Sequence, residues 1–267
     1  MLLSVHQPTY LPWLGLFHKI AVSDLFLIYD DVPYSRSMWY NRNKILGANG
    51  PILISVPVTF RKSQQTIHRD VAIDNSKPWR KKHWRSIEQA YGSLPFFGDY
   101  ADDLRTVYEA EWERLADLNE RLLRLLLGFL RIDTPVRRAS SYSFVGAKSD
   151  RLVDICLKLG ADAHLFGALG KDYADTEAFR EKGIAALFQD YRHPTYEQRK
   201  APFVSHLSVI DLLFRRGAAS REIILSNNVT REDYLALAQG VTDGGGPRPD
   251  DSSSRDVLSA GECSEHD

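Results

Sequence analysis

The sequence predicts an α/β fold with a mainly parallel sheet and flanking helices. Three observations carry this: short apolar runs bounded by polar or proline-containing stretches, helical periodicity between them, and the same strand, loop, helix order recurring later in the chain. The first run is Met1 to Val5 and the second Leu25 to Tyr29. Between them Leu14, Phe17, His18, Ile20 and Ala21 recur at helical spacing, which reads as the opening of a parallel βαβ unit. A third strand is expected over Pro51 to Val58, where two prolines point to an edge or a strand end.

Further along, Ser76 to Tyr91 reads as a basic, tryptophan-containing helix. Residues 101 to 131 read as one long amphipathic helix through Leu104, Val107, Leu115, Leu118, Leu122 and Phe129. A second α/β passage starts at Ser149, a candidate cap for a helix closed by Gly160, and returns as a strand over Ala163 to Phe166. A short helix near Thr176 to Lys182, a strand at Ile184 to Phe188 and a helix over Ser208 to Arg215 ended by Gly217 follow. Residues 1 to 240 are expected to form one domain. Residues 241 to 267 are rich in Gly, Pro, Ser and acidic residues, with too little apolar surface to offset the entropy of ordering, and are expected to be a disordered tail.

Composition excludes several classes. A net charge of -1 over 267 residues gives no field that would gather nucleic acid or an anionic membrane. No segment approaches the roughly 20 apolar residues of a membrane span, and His6, Gln7 and Pro8 interrupt the N-terminus where an export signal needs an apolar core. Two cysteines, Cys156 and Cys263, build neither a disulfide scaffold nor a metal cluster, which points to a cytoplasmic chain. Neither H-E-x-x-H nor G-x-S-x-G is present, so a zincin and a serine hydrolase are not indicated.

Three constellations can carry chemistry. The first, HQPTYLPWLG, leaves the first strand. Ligands of open α/β sheets gather outside the carboxyl ends of strands, which directs attention to His6, Gln7 and Tyr10. His6 can exchange a proton near neutral pH and Gln7 can orient a substrate, or both can tie down the proline-rich turn through its backbone. The second follows the next strand: Asp30, Asp31, Tyr34, Trp39, Asn41, Arg42 and Lys44. The carboxylates can take a proton, hold a cation or bind sugar hydroxyls, and neighbouring side chains of an extended chain diverge, so one of the two is expected in the cleft. Arg42 and Lys44 would share a strand face and can hold a phosphate or carboxylate; Tyr34 and Trp39 can stack on a base or sugar, or serve as apolar lids.

Residues 36 to 85 hold Arg36, Arg42, Lys44, Arg61, Lys62, Arg69, Lys77, Arg80, Lys81, Lys82 and Arg85 against Asp70 and Asp74, an excess that suits a phosphorylated or nucleotide-linked substrate, which Mg²⁺ can accompany. The third constellation is Gly167, Gly170 and Lys171, either an anion cradle or an ordinary tight turn, and His193 closes the following strand at the same edge. His6 and His193 could divide acid and base roles or both support other residues.

The blocks HQPTYLPWLGLFHKI, SDLFLIYDDVPYSRSMWYNRNKI, LFGALGKDY, QDYRHPTYEQ and LSVIDLLF, spanning about residues 3 to 217, resemble the WbqC-like protein family. That resemblance implies His6, Gln7, Asp30, Asp31, Trp39, Asn41, Arg42 and Lys44 as working residues. It also implies modification of a sugar or nucleotide sugar in polysaccharide or other biosynthesis, with acyl or aminoacyl transfer to an amino sugar as one form. A more distant similarity to HIGH-motif nucleotidyltransferases rests on Pro12-Trp13-Leu14-Gly15; the histidines of that motif are replaced by Trp13 and Leu16. The leading expectation is a transferase. Its rivals are a non-catalytic nucleotide- or substrate-binding protein of a biosynthetic complex and a nucleic-acid binder using Trp79 and Trp84 as stacking platforms.

Overall fold

The computed structural model describes residues 1–59, 65–198 and 202–242; most of the expected tail, and Cys263 with it, lies outside the described residues. The chain runs β1 (Leu2–His6), α1 (Leu14–Ala21), β2 (Leu25–Ile28), β3 (Arg42–Gly47), β4 (Gly50–Ser55), β5 (Val58–Thr59), β6 (Ala72–Ile73), α2 (Trp79–Tyr91), α3 (Phe97–Glu109) and α4 (Leu115–Phe129). It continues with β7 (Val136–Arg138), α5 (Lys148–Leu159), β8 (Ala163–Phe166), α6 (Thr176–Arg180), β9 (Ala185–Phe188), α7 (Ile210–Arg216), α8 (Ser220–Leu225) and α9 (Arg231–Thr242). Five strands form a parallel sheet in the order β7-β2-β1-β8-β9, so the fold is α/β as the sequence predicts.

The sheet is covered on both faces, which is why β2 (LFLI) and β9 (AALF) read as unbroken apolar runs instead of alternating ones. Leu3, Val5, Leu25 and Leu27 pack against α5 (Leu152, Ile155, Cys156) and Phe179 of α6. On the opposite face Phe26 and Ile28 meet Phe17 and Ile20 of α1 and Leu122 and Leu126 of α4, while Leu2, Leu165 and Leu187 meet Tyr234 and Ala238 of α9. Burial raises the Cys156 thiol to about 12, so it is a small core residue and not a nucleophile.

Several elements depart from expectation. The strand expected over 51–58 ends at Ser55 and pairs antiparallel with β3, off the parallel sheet. A link of two residues closes a hairpin but cannot cross a sheet, and a parallel return needs about a dozen residues. The single helix expected over 101–131 is two, because the link is drawn into extended pairing: Ile73 N donates to the Glu113 carbonyl (2.9 Å) and Leu115 N to the Val71 carbonyl (3.0 Å). Trp112 Nε1 secures the bend on the Val107 carbonyl at 2.7 Å. Ser149 does not cap α5; that position is Ala147, and the Ser149 hydroxyl accepts from Asp175 N at 3.0 Å. Gly160 does close α5, in the left-handed region at φ 70 that glycine adopts without cost. Helix α9 carries a Thr230/Asp233 capping box, with Asp233 N on the Thr230 hydroxyl (3.1 Å) and Thr230 N on the Asp233 carboxylate (2.9 Å).

The core holds imidazoles as well as hydrocarbon. Burial lowers His68 and His83 to about 4 and His164 well below its ordinary value. Unfolded imidazole titrates near 6.5, so between that value and 4 the unfolded chain binds more protons and stability falls as pH falls. A ring as buried as His83 should cost on the order of 2 kcal/mol across this window. Denaturant midpoints measured from pH 7 to pH 4 are therefore expected to drop, and His83→Gln to flatten the drop; an unchanged slope in His83→Gln would rule this ring out as a contributor.

Candidate functional site

The first cavity is built where three segments cross beyond the end of β1. The proline loop is pinned to the hairpin by Tyr10 N on the Tyr40 carbonyl (3.1 Å) and Asn43 Nδ2 on the Leu11 carbonyl (2.6 Å). The segment before α7 locks onto both, Ser208 N on the Lys44 carbonyl and Val209 N on the Pro12 carbonyl, each at 2.9 Å. Leu11 takes a left-handed φ of 44 at this crossing, a conformation the surrounding bonds impose on a non-glycine residue. The crossing encloses about 430 Å³. His6, Gln7 and Thr9 form its floor, Trp13, Met38 and Trp39 its apolar walls, and Asn43, Lys44 and His206 add polar groups.

His6 donates Nδ1–H to the Gln7 carbonyl at 2.8 Å, which leaves Nε2 as the acceptor nitrogen. Burial, and secondarily the positive charge of Lys19, lower its pKa to about 4, so the ring is neutral at pH 7 and equipped to take a proton. Thr9 Oγ1 donates to the same Gln7 carbonyl at 3.0 Å, so the turn is indeed tied down through its backbone while one imidazole nitrogen is left over. Lys44 and Arg42 lie over the Trp39 ring, 5.4 and 5.5 Å from its centroid, giving a half-exposed indole two cationic neighbours.

Other predicted residues lie elsewhere. Tyr10 is fully buried, its hydroxyl 2.8 Å from His83 Nδ1 and 2.7 Å from the Tyr108 hydroxyl, so it braces the core below the loop. Asp30 is buried and accepts from Ser140 N (3.0 Å) and Ser140 Oγ (2.6 Å), tying β2 to the turn after β7. Asp31 is paired with Arg151 of α5 at 2.5 Å. Both carboxylates thus have protein partners, whereas the sequence led us to expect one in the cleft; among the described residues no group of three or more His, Cys, Asp or Glu could hold a metal ion. Tyr34 packs edge-on against His68 and, with Asn41, Arg42 and Lys77, lines a separate shallow depression of about 250 Å³. Asn41 spends its amide on the Val56 carbonyl (2.8 Å) and Arg42 a guanidinium N–H on the Ser37 carbonyl (3.0 Å).

His193 has both ring nitrogens engaged, Nδ1 with the Pro194 carbonyl (2.8 Å) and Nε2 accepting from His206 N (3.2 Å), and it stacks on Trp13. It therefore sets the place of His206, which lines the cavity and which the sequence reading missed. Nothing local marks His206, since it reaches the site through bonds to distant segments, among them Ser208 N on the Lys44 carbonyl and Val209 N on the Pro12 carbonyl, each at 2.9 Å. Gly167 and Gln7 line a second hollow between β1 and β8. Gly170 packs on Phe166, where a Cβ would come within 2.5 Å of the Phe166 Cβ, and Lys171 is exposed on the turn over Ala168–Asp172.

Trp13 owes its position to Gly15, where an added Cβ would lie 2.3 Å from the indole. The ring lies over that glycine and stacks on His206 at 5.0 Å. Gly15→Ala should displace the indole, cost about 1–3 kcal/mol of stability by overpacking, and move the His206 ring-proton shifts as the stacking is lost. Unmoved His206 signals would show that the wall does not depend on Gly15.

Comparisons place these features in a family. The profile of the WbqC-like protein family matches residues 7–223, a stretch that includes the proline loop, the hairpin, the β8 turn and α7. Among relatives, the chain is 33% identical over 223 residues to the uncharacterised protein Rv1507c of Mycobacterium tuberculosis, covering 83% of this chain and 96% of that one. With the family profile running from the end of β1 through the segment that carries His206, the chain belongs to the WbqC-like protein family.

Proposed function

We propose that this protein is a biosynthetic transferase acting on a sugar or nucleotide sugar, with transfer of an acyl or aminoacyl group to an amino sugar as the form the site suits best. The observation that carries the reading is one cavity with a neutral His6 on its floor, a Trp39 wall and Lys44 beside it. An indole face is a platform for a sugar ring or a base, and the ammonium of Lys44 with the guanidinium of Arg42 offers charge to a phosphate at the cavity edge. Met38 and Trp13 make the walls apolar, which strengthens any polar contact made beside them.

In this reading the acceptor's amine or hydroxyl attacks the acyl carbon of the donor. The new bond forms there, the donor's leaving group departs with its bonding pair, and the acceptor's proton passes to His6 Nε2. Because His6 titrates near 4, it serves as a base and not as the acid at neutral pH. Asp30 and Asp31 then keep β2 and α5 in place instead of touching substrate.

Calorimetric titration of the full chain with nucleoside diphosphate sugars, with and without Mg²⁺, tests the proposal. Lys44→Ala and Trp39→Ala are expected to weaken binding by about tenfold, a loss of about 1.4 kcal/mol. His6→Ala is expected to bind within about threefold of the parent while stopping transfer, the pattern of a group that acts on the reaction and not on ground-state binding. Absence of binding by every nucleotide sugar, or wild-type affinity in Lys44→Ala, would remove the basis for this reading.

A further inference from the structure

We propose that the crevice between the carboxyl ends of β1 and β8 is a second ligand chamber, which takes a small molecule with an apolar or aromatic body and one oxyanion, a carboxylate or a phosphate, held by Lys19 and His164. The proposal does not depend on what the Trp39 cavity binds.

Topology opens the crevice. From β1 the chain crosses to β2 and on to β7 on one side, then returns to β8 on the other, so the order reverses between β1 and β8. Pairing of β1 with β8 stops at Ser4 and Leu165, while β1 with β2 continues to His6 and Ile28 and β8 with β9 to Phe166 and Phe188. The strands part where open α/β sheets receive ligands. The space is about 520 Å³, with Val5, Tyr29, Leu152, Phe166 and Tyr173 as apolar and aromatic walls.

Two buried polar side chains in that space lack the partners burial demands. Lys19 is 3% exposed and its ammonium donates to the Val5 carbonyl at 3.0 Å, on a strand that has just lost its neighbour. Among the described residues no carboxylate pairs with it. Burial lowers it to about 7, so it is partly protonated at neutral pH and an anion beside it would favour the charged form. His164 is 2% exposed and neither ring nitrogen has a hydrogen-bond partner among the described residues. A neutral imidazole offers one N–H and one lone pair, and leaving both unmet in the interior is costly. Lys148, the exposed first residue of α5, adds positive charge at the mouth. Gln7 lines this crevice and the Trp39 cavity alike, so a ligand here would lie beside one bound there.

Benzoate, phenyl phosphate and the neutral benzamide are suitable probes, titrated into the full chain while the His164 ring signals are followed by ¹⁵N NMR. One or both anions should shift those signals saturably, with benzamide at least about tenfold weaker; the tighter anion identifies the oxyanion the chamber prefers. Lys19→Met should weaken the anions about tenfold and leave benzamide unchanged. Should that variant fail to fold, the parent chain still decides. Benzoate stays ionised, so its affinity should fall from about pH 7 to about pH 9 as Lys19 loses its proton. The titratable groups that face Lys19 or line the crevice are His6, His164, Tyr29, Tyr173 and Lys148. The two imidazoles are already neutral, Tyr29 is raised to about 12 and burial raises Tyr173 above the ordinary tyrosine value, so they do not produce that fall. Benzamide binding as tightly as the anions, His164 signals unmoved by either anion, or a pH-independent benzoate affinity would overturn the proposal.

Discussion

The arrangement of the whole site depends on the place of β1 at the centre of a parallel sheet. A central strand is buried on both faces and bonded on both edges, so its chain can leave only past its carboxyl end. Here it leaves as a proline-rich loop that drops His6 and Gln7 at the rim before α1 begins at Leu14. The order of neighbours, β2 on one side and β8 on the other, also decides that the sheet splits beside this loop. The two cavities that share Gln7 are consequences of one topological fact.

Substantial polar chemistry holds this rim in place. Asp30 reaches Ser140 beyond β7, Asp31 reaches Arg151 on α5, and the Asn43 amide holds Leu11. These bonds join segments far apart in sequence, and each satisfies a backbone or charged group that the crossing would otherwise bury alone. Asp30 and Asp31 are spent on bonds of this kind, whereas His6 Nε2 and both His164 ring nitrogens have no such bond among the described residues and the Lys19 ammonium has only the Val5 carbonyl.

The electrostatic character of the rim follows from burial more than from charge. His6, His68, His164 and Lys19 all have their protonated forms disfavoured by desolvation. These four groups are therefore proton acceptors at or near neutral pH, a setting suited to a ligand that brings an oxyanion or gives up a proton.

The strands of the parallel sheet that follow α/β periodicity were legible because their physics is local. Leu25 to Ile28 is an apolar run bounded by Asp24 and Asp30, and a short run of this kind reads as a buried strand. The capping box at Thr230 was equally legible in principle, since its bonds span three residues. The break at 110–114 was not, because the apolar spacing continues through it and only pairing with Val71 and Ile73 interrupts the helix. By itself, then, the sequence determined the α/β class and directed attention to the segments that follow β1 and β2, which hold His6, Gln7, Trp39 and Lys44. Tertiary structure alone decided which carboxylates are spent on internal bonds, that His206 joins the site, and that Lys19 and His164 face one crevice. Helix α1 is buried almost all round, so no stripe distinguishes Lys19 within it, and two residues 145 positions apart that line one crevice leave no local pattern to read.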